Sequence, residues 1–250
     1  MGEYASPKIS RRVHTCFQHS PQGNRKRMFI GLLGGTFNPI HNGHLHIARH
    51  VCSTLQLDQV IFIPTGDPPH KPVTSLAPAH HRLEMVKQAI APFPHFTASD
   101  HETRSVAVSY SVNTVTQFKK ECSDDTELGF IVGLDAFLDF SSWRKVDQLL
   151  TLCHFIVCSR PGVDFTQLQS LSFFPPIKPS ALQSLDQRDT TRLDIPLSSG
   201  NKIILLSVPP CEVSASTIRE HLALGQPVSH WLPPTVESYI IQHRLYQWPV

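Results

Sequence analysis

The sequence has almost no excess charge and no long apolar run. Its 22 lysines and arginines face 20 acidic residues, which leaves a net charge of +2 over 250 residues with histidine neutral. This balance argues against a protein that coats DNA or a membrane surface, although a local basic pocket remains compatible with it. No apolar run approaches the ~18 residues of a membrane helix, and no secretory hydrophobic region lies near the start. We therefore expect neither a nucleic acid nor a membrane as a partner.

Cysteine pairs of the C-x-x-C kind are also missing. Six cysteines are scattered over segments that otherwise have the character of an ordinary core: Cys16, Cys52, Cys122, Cys153, Cys158 and Cys211. In a chain long enough for one large domain, this scatter favours reduced thiols over a disulfide framework. We therefore expect a cytoplasmic location.

Residues 1–27 are polar and basic and lack a sustained hydrophobic period. Most of its positive charge comes from Arg11, Arg12, Arg25, Lys26 and Arg27. Such a composition predicts a poorly ordered basic extension. A transit peptide is one alternative, since acidic residues are nearly absent from the segment. Another is that Met28 is the true start, because the folded pattern begins there.

From residue 28 onward, apolar runs alternate with segments of helical period, and we expect one domain over 28–250. Buried strands are predicted at the continuous apolar runs 28–33, 60–64, 128–132, 155–158 and 203–208. Helical spacing predicts helices at 43–55, 79–90, 111–118, 143–150, 216–224 and 234–243. The alternation predicts an α/β fold: a doubly wound, Rossmann-like parallel sheet with helices on both faces.

The alternating pattern is interrupted once, over residues 163–200. Proline, serine and glutamine are frequent there, so we expect a long loop or an insertion in the domain. Beyond it, residues 211–246 should form a C-terminal helical part. The sequence contains no internal repeat, so a repeat architecture is not expected.

The first predicted strand ends in the sequence GGTFNPIHNGH over residues 34–44. Two glycines directly after a buried strand let the backbone approach a ligand closely. The helix that follows directs its free N–H groups into the crevice beyond the strand ends. His41 and His44 are three residues apart, so one helical turn can point both rings at a phosphate group.

The two histidines allow two other interpretations. They could be surface residues at a helix cap. A zinc site formed by His41, His44 and His46 would lack a nearby carboxylate or cysteine, and His46 would point away from His44 on a helix. We therefore expect no metal ligands among them.

The segment 34–44 resembles the H-x-G-H signature of the nucleotidyltransferase superfamily, which class I aminoacyl-tRNA synthetases share in broad form. A second segment, EVSASTIR over 212–219, resembles the I-S-S-T-x-I-R motif at the other end of that fold. Ala215 departs from the motif, where a second serine is common, while Ser214, Ser216 and Arg219 remain. Ser216 can cap the helix, and Arg219 supplies a forked cation for phosphates.

Three further stretches are similar to segments of the bacterial nicotinate-mononucleotide adenylyltransferases. IPTGDPPHKP over 63–72 resembles their I-P-x-x-x-P-P-H-K loop, and SYSVNT over 109–114, with Glu102 and Arg104 upstream, resembles their E-x-R…S-Y-T-x-x-T segment. GLDA over 133–136, then Trp143 and SRPG over 159–162, continues the pattern. The resemblance covers about 28–246 and is poor over 165–200. Asn38 departs from it, since aspartate is frequent at that position.

The resemblance implies transfer of AMP from ATP to nicotinate mononucleotide, with Mg²⁺ carried on the triphosphate. Catalysis would depend on His41, His44 and Arg219. The implied ATP contacts are Gly34, Gly35, Thr36, Phe37, His41, His44, Gly133, Asp135, Ser214, Ser216 and Arg219. The implied mononucleotide contacts are Lys71, Tyr110, Ser111, Leu134 and Trp143.

Several alternatives remain open at this stage. The acceptor could be nicotinamide mononucleotide or another phosphate, such as phosphopantetheine, FMN or glycerol phosphate. The protein could also be a nucleotide-binding sensor without catalysis, and the basic residues 25–27 could serve nucleic-acid binding. A homo-oligomer is compatible with the sequence.

Overall fold

The computed structural model describes residues 27–66, 76–105 and 110–247. Within these ranges, seven strands form one sheet in the order β3-β2-β1-β4-β5-β7-β6. The strands are β1 (Phe29–Gly35), β2 (Gln59–Pro64), β3 (Phe96–Ala98), β4 (Glu127–Gly133), β5 (His154–Cys158), β6 (Arg192–Pro196) and β7 (Lys202–Leu206). All neighbours pair in parallel except β6 and β7, which are antiparallel. The predicted doubly wound sheet is therefore confirmed.

Helices cover both faces of the sheet. They are α1 (Asn42–Leu55), α2 (Ala79–Ile90), α3 (Ser111–Glu121), α4 (Leu134–Leu138), α5 (Val146–Leu152), α6 (Pro179–Asp186), α7 (Ala215–Ala223) and α8 (Pro234–Gln242). The buried residues of α1, α2, α7 and α8 form one apolar cluster, and those of α3 to α6 form the other. Strand residues alternate between the two clusters, since Ile156 faces the first while Phe155 and Val157 face the second. Continuous apolar strands are thus explained by burial on both faces.

The segment 163–200, where we expect a long loop or an insertion, has regular structure over half of its residues, so one continuous loop is not observed there. It contains a 3₁₀ helix (Phe165–Ser170), then α6 and β6. Pro179 stands in the first turn of α6, where a missing N–H costs nothing, so the proline starts a helix instead of breaking one. Leu182 and Leu185 of α6 are buried with the second cluster.

Other expectations about the chain can be placed against the described ranges. Residues 1–26 of the predicted extension, among them Cys16, lie outside the described ranges. The cysteines inside the described ranges are all unpaired: Cys52, Cys122, Cys153, Cys158 and Cys211. In the same part of the chain, none of the helices has the length and apolar character needed to cross a membrane.

Candidate active site

A cavity of about 420 Å³ lies over the carboxyl ends of β1 and β4. The chain leaves β1 towards β2 on one side of this point and returns to β4 on the other, so the cavity occupies the switch point where open α/β sheets bind ligands. We call it the central cavity. Its lining includes glycines, polar side chains and one tryptophan: Gly34, Gly35, Thr36, His44, Thr65, Glu102, Ser111, Thr114, Gly133, Asp135, Trp143 and Arg160.

A second cavity of about 200 Å³ adjoins the first, and we call it the side cavity. It lies between the start of α1, the chain after β5 and the chain after β7, with Gly43, Ser159 and Glu212 in its wall. Ile47 and Arg160 line both cavities. The two spaces therefore meet at one cation and one apolar side chain.

The structure brings the two predicted histidines together at the start of α1. Their ring centroids are 3.8 Å apart. The main-chain N–H of His41 donates to Nδ1 of His44 at 3.2 Å. Because Nδ1 accepts this bond, a neutral His44 ring carries its proton on Nε2. Since His44 lines the central cavity, its ring is a hydrogen-bond donor for a ligand there.

His41 has a different environment from His44. It is 4% exposed, and its Nδ1 has no hydrogen-bond partner among the described residues. Burial, and secondarily the charge of Arg160, lowers the pKa of His41 to about 4. In the protein without a ligand, His41 is therefore neutral at pH 7.

This low pKa predicts an acid-sensitive contribution to stability. An unfolded chain takes up a proton on His41 near pH 6.5, whereas the folded protein does so only near pH 4. The free energy of unfolding should therefore fall as the pH drops from 6.5 to 4, by at most about 3 kcal/mol from this group. Urea unfolding at several pH values should show a smaller fall in His41→Gln than in the wild type. The exposed His101→Gln is the control, and parallel curves for wild type and His41→Gln would contradict the prediction.

Arg160 belongs to the stretch SRPG over 159–162, from which the sequence predicts no function for this side chain. Its Nε lies 3.6 Å from Oδ1 of Asp135. Both side chains fold over Gly133, where an added Cβ would collide with Asp135 and lie 2.8 Å from Nε of Arg160. A side chain at position 133 would therefore displace Asp135 and Arg160 from these positions. The sequence could indicate a role for Arg160 only through its position, because a basic residue shortly after a buried parallel strand lies at the ligand-binding edge of the sheet.

The two motifs, far apart in sequence, meet in the structure. Ser214 caps α7, because its Oγ accepts from the N–H of Thr217 at 3.1 Å. Arg219 donates from Nη1 to the main-chain oxygen of Asn38 at 2.8 Å and from Nη2 to Oγ of Ser216 at 3.4 Å. Ser214, Ser216 and Arg219 stand beside the histidine turn, outside the described lining of the two cavities. The cap of α7 is therefore Ser214, and the prediction that Ser216 caps this helix is wrong.

The residues expected to contact the mononucleotide are only partly brought together. Ser111 and Trp143 line the central cavity. Tyr110 does not belong to the described lining, and the guanidinium carbon of Arg144 lies 4.7 Å from the centre of its ring. Leu134 is fully buried in the core, as is Phe37 from the expected ATP set. Lys71 lies outside the described residues. The roles of all these residues stay predictions.

Three polar residues of the central cavity were not given a function from the sequence. Glu102 is 7% exposed and accepts a hydrogen bond from Oγ1 of Thr114. Its second oxygen and Oγ1 of Thr65 are buried without a partner among the described residues. Buried polar atoms normally find partners, so these atoms mark where a ligand would complete the site. Glu102 was visible as part of a motif, but sequence spacing could not show that its carboxylate faces a cavity.

Arg82 stabilises this edge of the sheet, a role that the sequence did not indicate. It is fully buried in α2, and its guanidinium donates to three main-chain oxygens. The acceptors are Thr36 at 2.7 Å, Gly66 at 2.7 Å and Ala77 at 2.9 Å. One side chain thus fixes the chain that leaves β1 and the chain that leaves β2, which both border the central cavity.

Comparison with known proteins gives the family context. The sequence profile of the cytidylyltransferase-like family matches residues 32–221. The chain is 37% identical over 219 residues to the "probable nicotinate-nucleotide adenylyltransferase" of Geobacter metallireducens, and covers 98% of it with 88% of its own length. The corresponding protein of Citrifermentans bemidjiense is 39% identical with the same coverage.

A solved structure shares the fold. The nicotinic acid mononucleotide adenylyltransferase of Plasmodium falciparum, complexed with NaAD, superimposes with a TM-score of 0.65 at 19% sequence identity. The likeness extends over 88% of this chain and 97% of the other. At this identity the likeness shows the fold alone.

Proposed function

We propose, since the chain belongs to the cytidylyltransferase-like family and to the nicotinate-nucleotide adenylyltransferases within it, that it transfers AMP from ATP to nicotinate mononucleotide. The products are nicotinate adenine dinucleotide and pyrophosphate, so the reaction is a step of NAD biosynthesis. One observation carries the proposal: at the switch point of the sheet, His44 of the His41–His44 pair lines the central cavity, and Arg160 lines both adjoining cavities.

The chemistry requires positioning more than proton transfer. The attacking group is the 5′-phosphate of the mononucleotide, which is already an anion near neutral pH and needs no general base. Its oxygen forms a bond to the α-phosphorus of ATP, while the bond from that phosphorus to pyrophosphate breaks. The enzyme's task is to align the two groups and stabilise the charge that builds on the phosphates.

The described residues suit this task. His44 presents Nε2–H to the central cavity as a donor for the α-phosphate. The backbone at Gly34 and Gly35 allows close approach, and Arg160 supplies positive charge between the two nucleotides. Ser216 and Arg219 would hold the distal phosphates beside the histidine turn.

The cavities accommodate the two substrates separately in this proposal. The central cavity has the volume of a small-molecule site, which is roughly 300–1,000 Å³, and would hold the mononucleotide, with the nicotinate ring on Trp143 and its carboxylate near Ser111. The side cavity would hold the adenosine part of ATP. An ionised carboxylate only accepts hydrogen bonds, so Glu102 suits a ribose hydroxyl and not the ring carboxylate.

Magnesium enters this scheme with the substrate. Among the described residues, no three histidine, cysteine or acidic side chains are grouped so that they could hold a metal ion. Mg²⁺ bound to the triphosphate of ATP would take its ligands from phosphate oxygens and water, as it commonly does. The protein's own contribution would then be the alignment of the MgATP complex.

Three broader expectations complete the proposal. The unpaired cysteines support a cytoplasmic location. A homo-oligomer and the role of residues 1–27 stay predictions, as does a single catalytic domain over 28–250. Binding to nucleic acid is not part of the proposal.

Isotope tracing tests the reaction type. With ATP labelled at the α-phosphorus, the label should appear in the dinucleotide, and with label at the γ-phosphorus it should appear in pyrophosphate. Transfer of the γ-label to the mononucleotide would show a kinase instead. Retention of both labels in ATP, with folded protein and saturating substrates, would refute the proposal.

Trp143 provides a separate prediction on acceptor binding. Its ring contacts Phe130 and Phe140, with centroids 5.9 and 5.2 Å away, and these contacts fix its orientation at the cavity wall. Trp143→Ala should raise the KM for nicotinate mononucleotide about 3- to 10-fold, the scale of one aromatic contact. The KM for ATP should change less than about 2-fold, since only the acceptor loses a contact.

Trp143→Phe is the matched control, because it keeps a ring on the same wall. It should retain most of the affinity for the mononucleotide in steady-state kinetics. An unchanged acceptor KM in Trp143→Ala would rule out stacking on this side chain.

A further inference from the structure

Asn38 is a meeting point for three distant parts of the chain. Its Oδ1 accepts from the main-chain N–H of Ala77 at 3.0 Å and from the hydroxyl of Tyr246 at 2.8 Å. Its main-chain oxygen accepts from Nη1 of Arg219 at 2.8 Å. Asn38 itself is 7% exposed and lies three residues before His41. The turn that leads to the histidines is therefore fixed by contacts from the start of α2, from α7 and from the C-terminal end.

The C-terminal part contacts this turn at one more place. The main-chain N–H of Asn42, the first residue of α1, donates to the main-chain oxygen of Trp231 at 2.8 Å. Trp231, Arg219 and Tyr246 thus touch the segment from Asn38 to Asn42 from one side. The C-terminal helical part therefore packs against the turn that leads to the two histidines and belongs to the site.

Tyr246 is held in a conformation that suits this contact. Its backbone has φ 63°, in the left-handed region that a residue with a side chain adopts only when its surroundings impose it. Burial raises the pKa of Tyr246 well above its usual range, against the opposing charges of Arg82 and Arg219. Its hydroxyl therefore remains protonated and acts as the donor to Asn38.

We propose that Asn38 and Tyr246 are positioning residues that hold Arg219 in place for the phosphates of ATP. Nη1 of Arg219 donates to the main-chain oxygen of Asn38. The position of that oxygen therefore sets the orientation of the other guanidinium N–H groups. Tyr246 and Ala77 fix the side chain of Asn38, and with it the orientation of the peptide that Arg219 contacts. The inference rests on the proposed role of Arg219 in binding ATP.

The same geometry explains which substitutions Asn38 tolerates. Oδ1 accepts the bonds from Ala77 and from Tyr246, and a carboxylate oxygen can accept these two bonds as well. Asn38→Asp should therefore keep the contacts with Ala77 and Tyr246. Asn38→Leu has a similar shape but no acceptor, and would leave the donors of Ala77 and Tyr246 unpaired.

Calorimetric titration of the full-length protein with MgATP, without an acceptor, tests the inference. Tyr246→Phe should raise the dissociation constant about 3- to 10-fold, the scale of one hydrogen bond. Asn38→Leu should raise it at least as much, and Asn38→Asp should stay within about 2-fold of the wild type. Tyr239→Phe is the matched control, since its hydroxyl is bonded to Nδ1 of His81 at 2.9 Å and not to Asn38.

A double-mutant cycle separates positioning from general loss of stability. In an Arg219→Ala background, adding Tyr246→Phe should not weaken ATP binding further, because the residue through which Tyr246 acts is gone. Additive losses in the double variant, or an equal loss in Tyr239→Phe, would overturn the inference. Because the titration needs no turnover, a protein that shows this coupling yet forms no dinucleotide would refute the proposed function alone.

Discussion

Replacing His44 with alanine should lower kcat by on the order of 10²–10³-fold, the scale expected when one preorganised donor to a charged transition state is lost. The prediction follows from the bond between the His41 N–H and Nδ1 of His44, which leaves the proton of a neutral ring on Nε2 in a residue that lines the central cavity. Negative charge on the α-phosphate increases as pyrophosphate leaves, and this donor stabilises it there. The rate of pyrophosphate release at saturating ATP and mononucleotide is the measurement.

His50→Ala is the matched control for this variant. His50 lies on the same helix α1 and outside the described lining of both cavities. Its loss should leave kcat within about 2-fold of the wild type, as expected for a residue that makes no transition-state contact. Near-normal turnover in a correctly folded His44→Ala protein would remove His44 from the mechanism.

The largest predicted effect on stability belongs to Arg82→Met. Methionine fills much of the same space but leaves the main-chain oxygens of Thr36, Gly66 and Ala77 without the donors that Arg82 supplies. Hydrogen bonds from a charged group are worth about 1.5–3 kcal/mol each, although relaxation recovers part of the loss. The free energy of unfolding should fall by about 3–5 kcal/mol in urea titrations.

Arg49→Met provides the comparison for Arg82→Met. Arg49 is an exposed arginine of α1, and its guanidinium carbon lies 5.7 Å from the centre of the Phe93 ring. Its replacement should cost no more than about 1 kcal/mol, the scale of an exposed cation–π contact. Equal losses in the two variants would show that the buried guanidinium does not support the strand ends.

Much of the sheet could be predicted because its strands are buried on both faces. The runs at β1, β2, β4, β5 and β7 are continuous apolar segments, which local sequence shows directly. β3 has only three residues and is too short to show a period. β6 has one buried residue, Ile195, among partly buried and exposed residues at the sheet edge, so its composition resembles that of a loop.

The site was predictable to the extent that its residues are close in sequence. The glycines and His44 of the first turn line the central cavity, and their contacts with ATP stay predictions. Arg82 was missed because its spacing on α2 is equally typical of a solvated charge, and only the tertiary fold buries it. The contact of Tyr246 with Asn38 joins residues 208 positions apart, a pairing that no local pattern contains.

The most direct measurement is pyrophosphate release from MgATP with nicotinate mononucleotide, compared with nicotinamide mononucleotide, under identical conditions. We predict rapid release with the acid and at least 10-fold lower kcat/KM with the amide, which is about 1.4 kcal/mol of discrimination by the carboxylate pocket. Equal rates with both would contradict the selectivity. Absence of release with either, from folded protein that still binds ATP, would contradict the assignment of this chain as an adenylyltransferase of nicotinate mononucleotide.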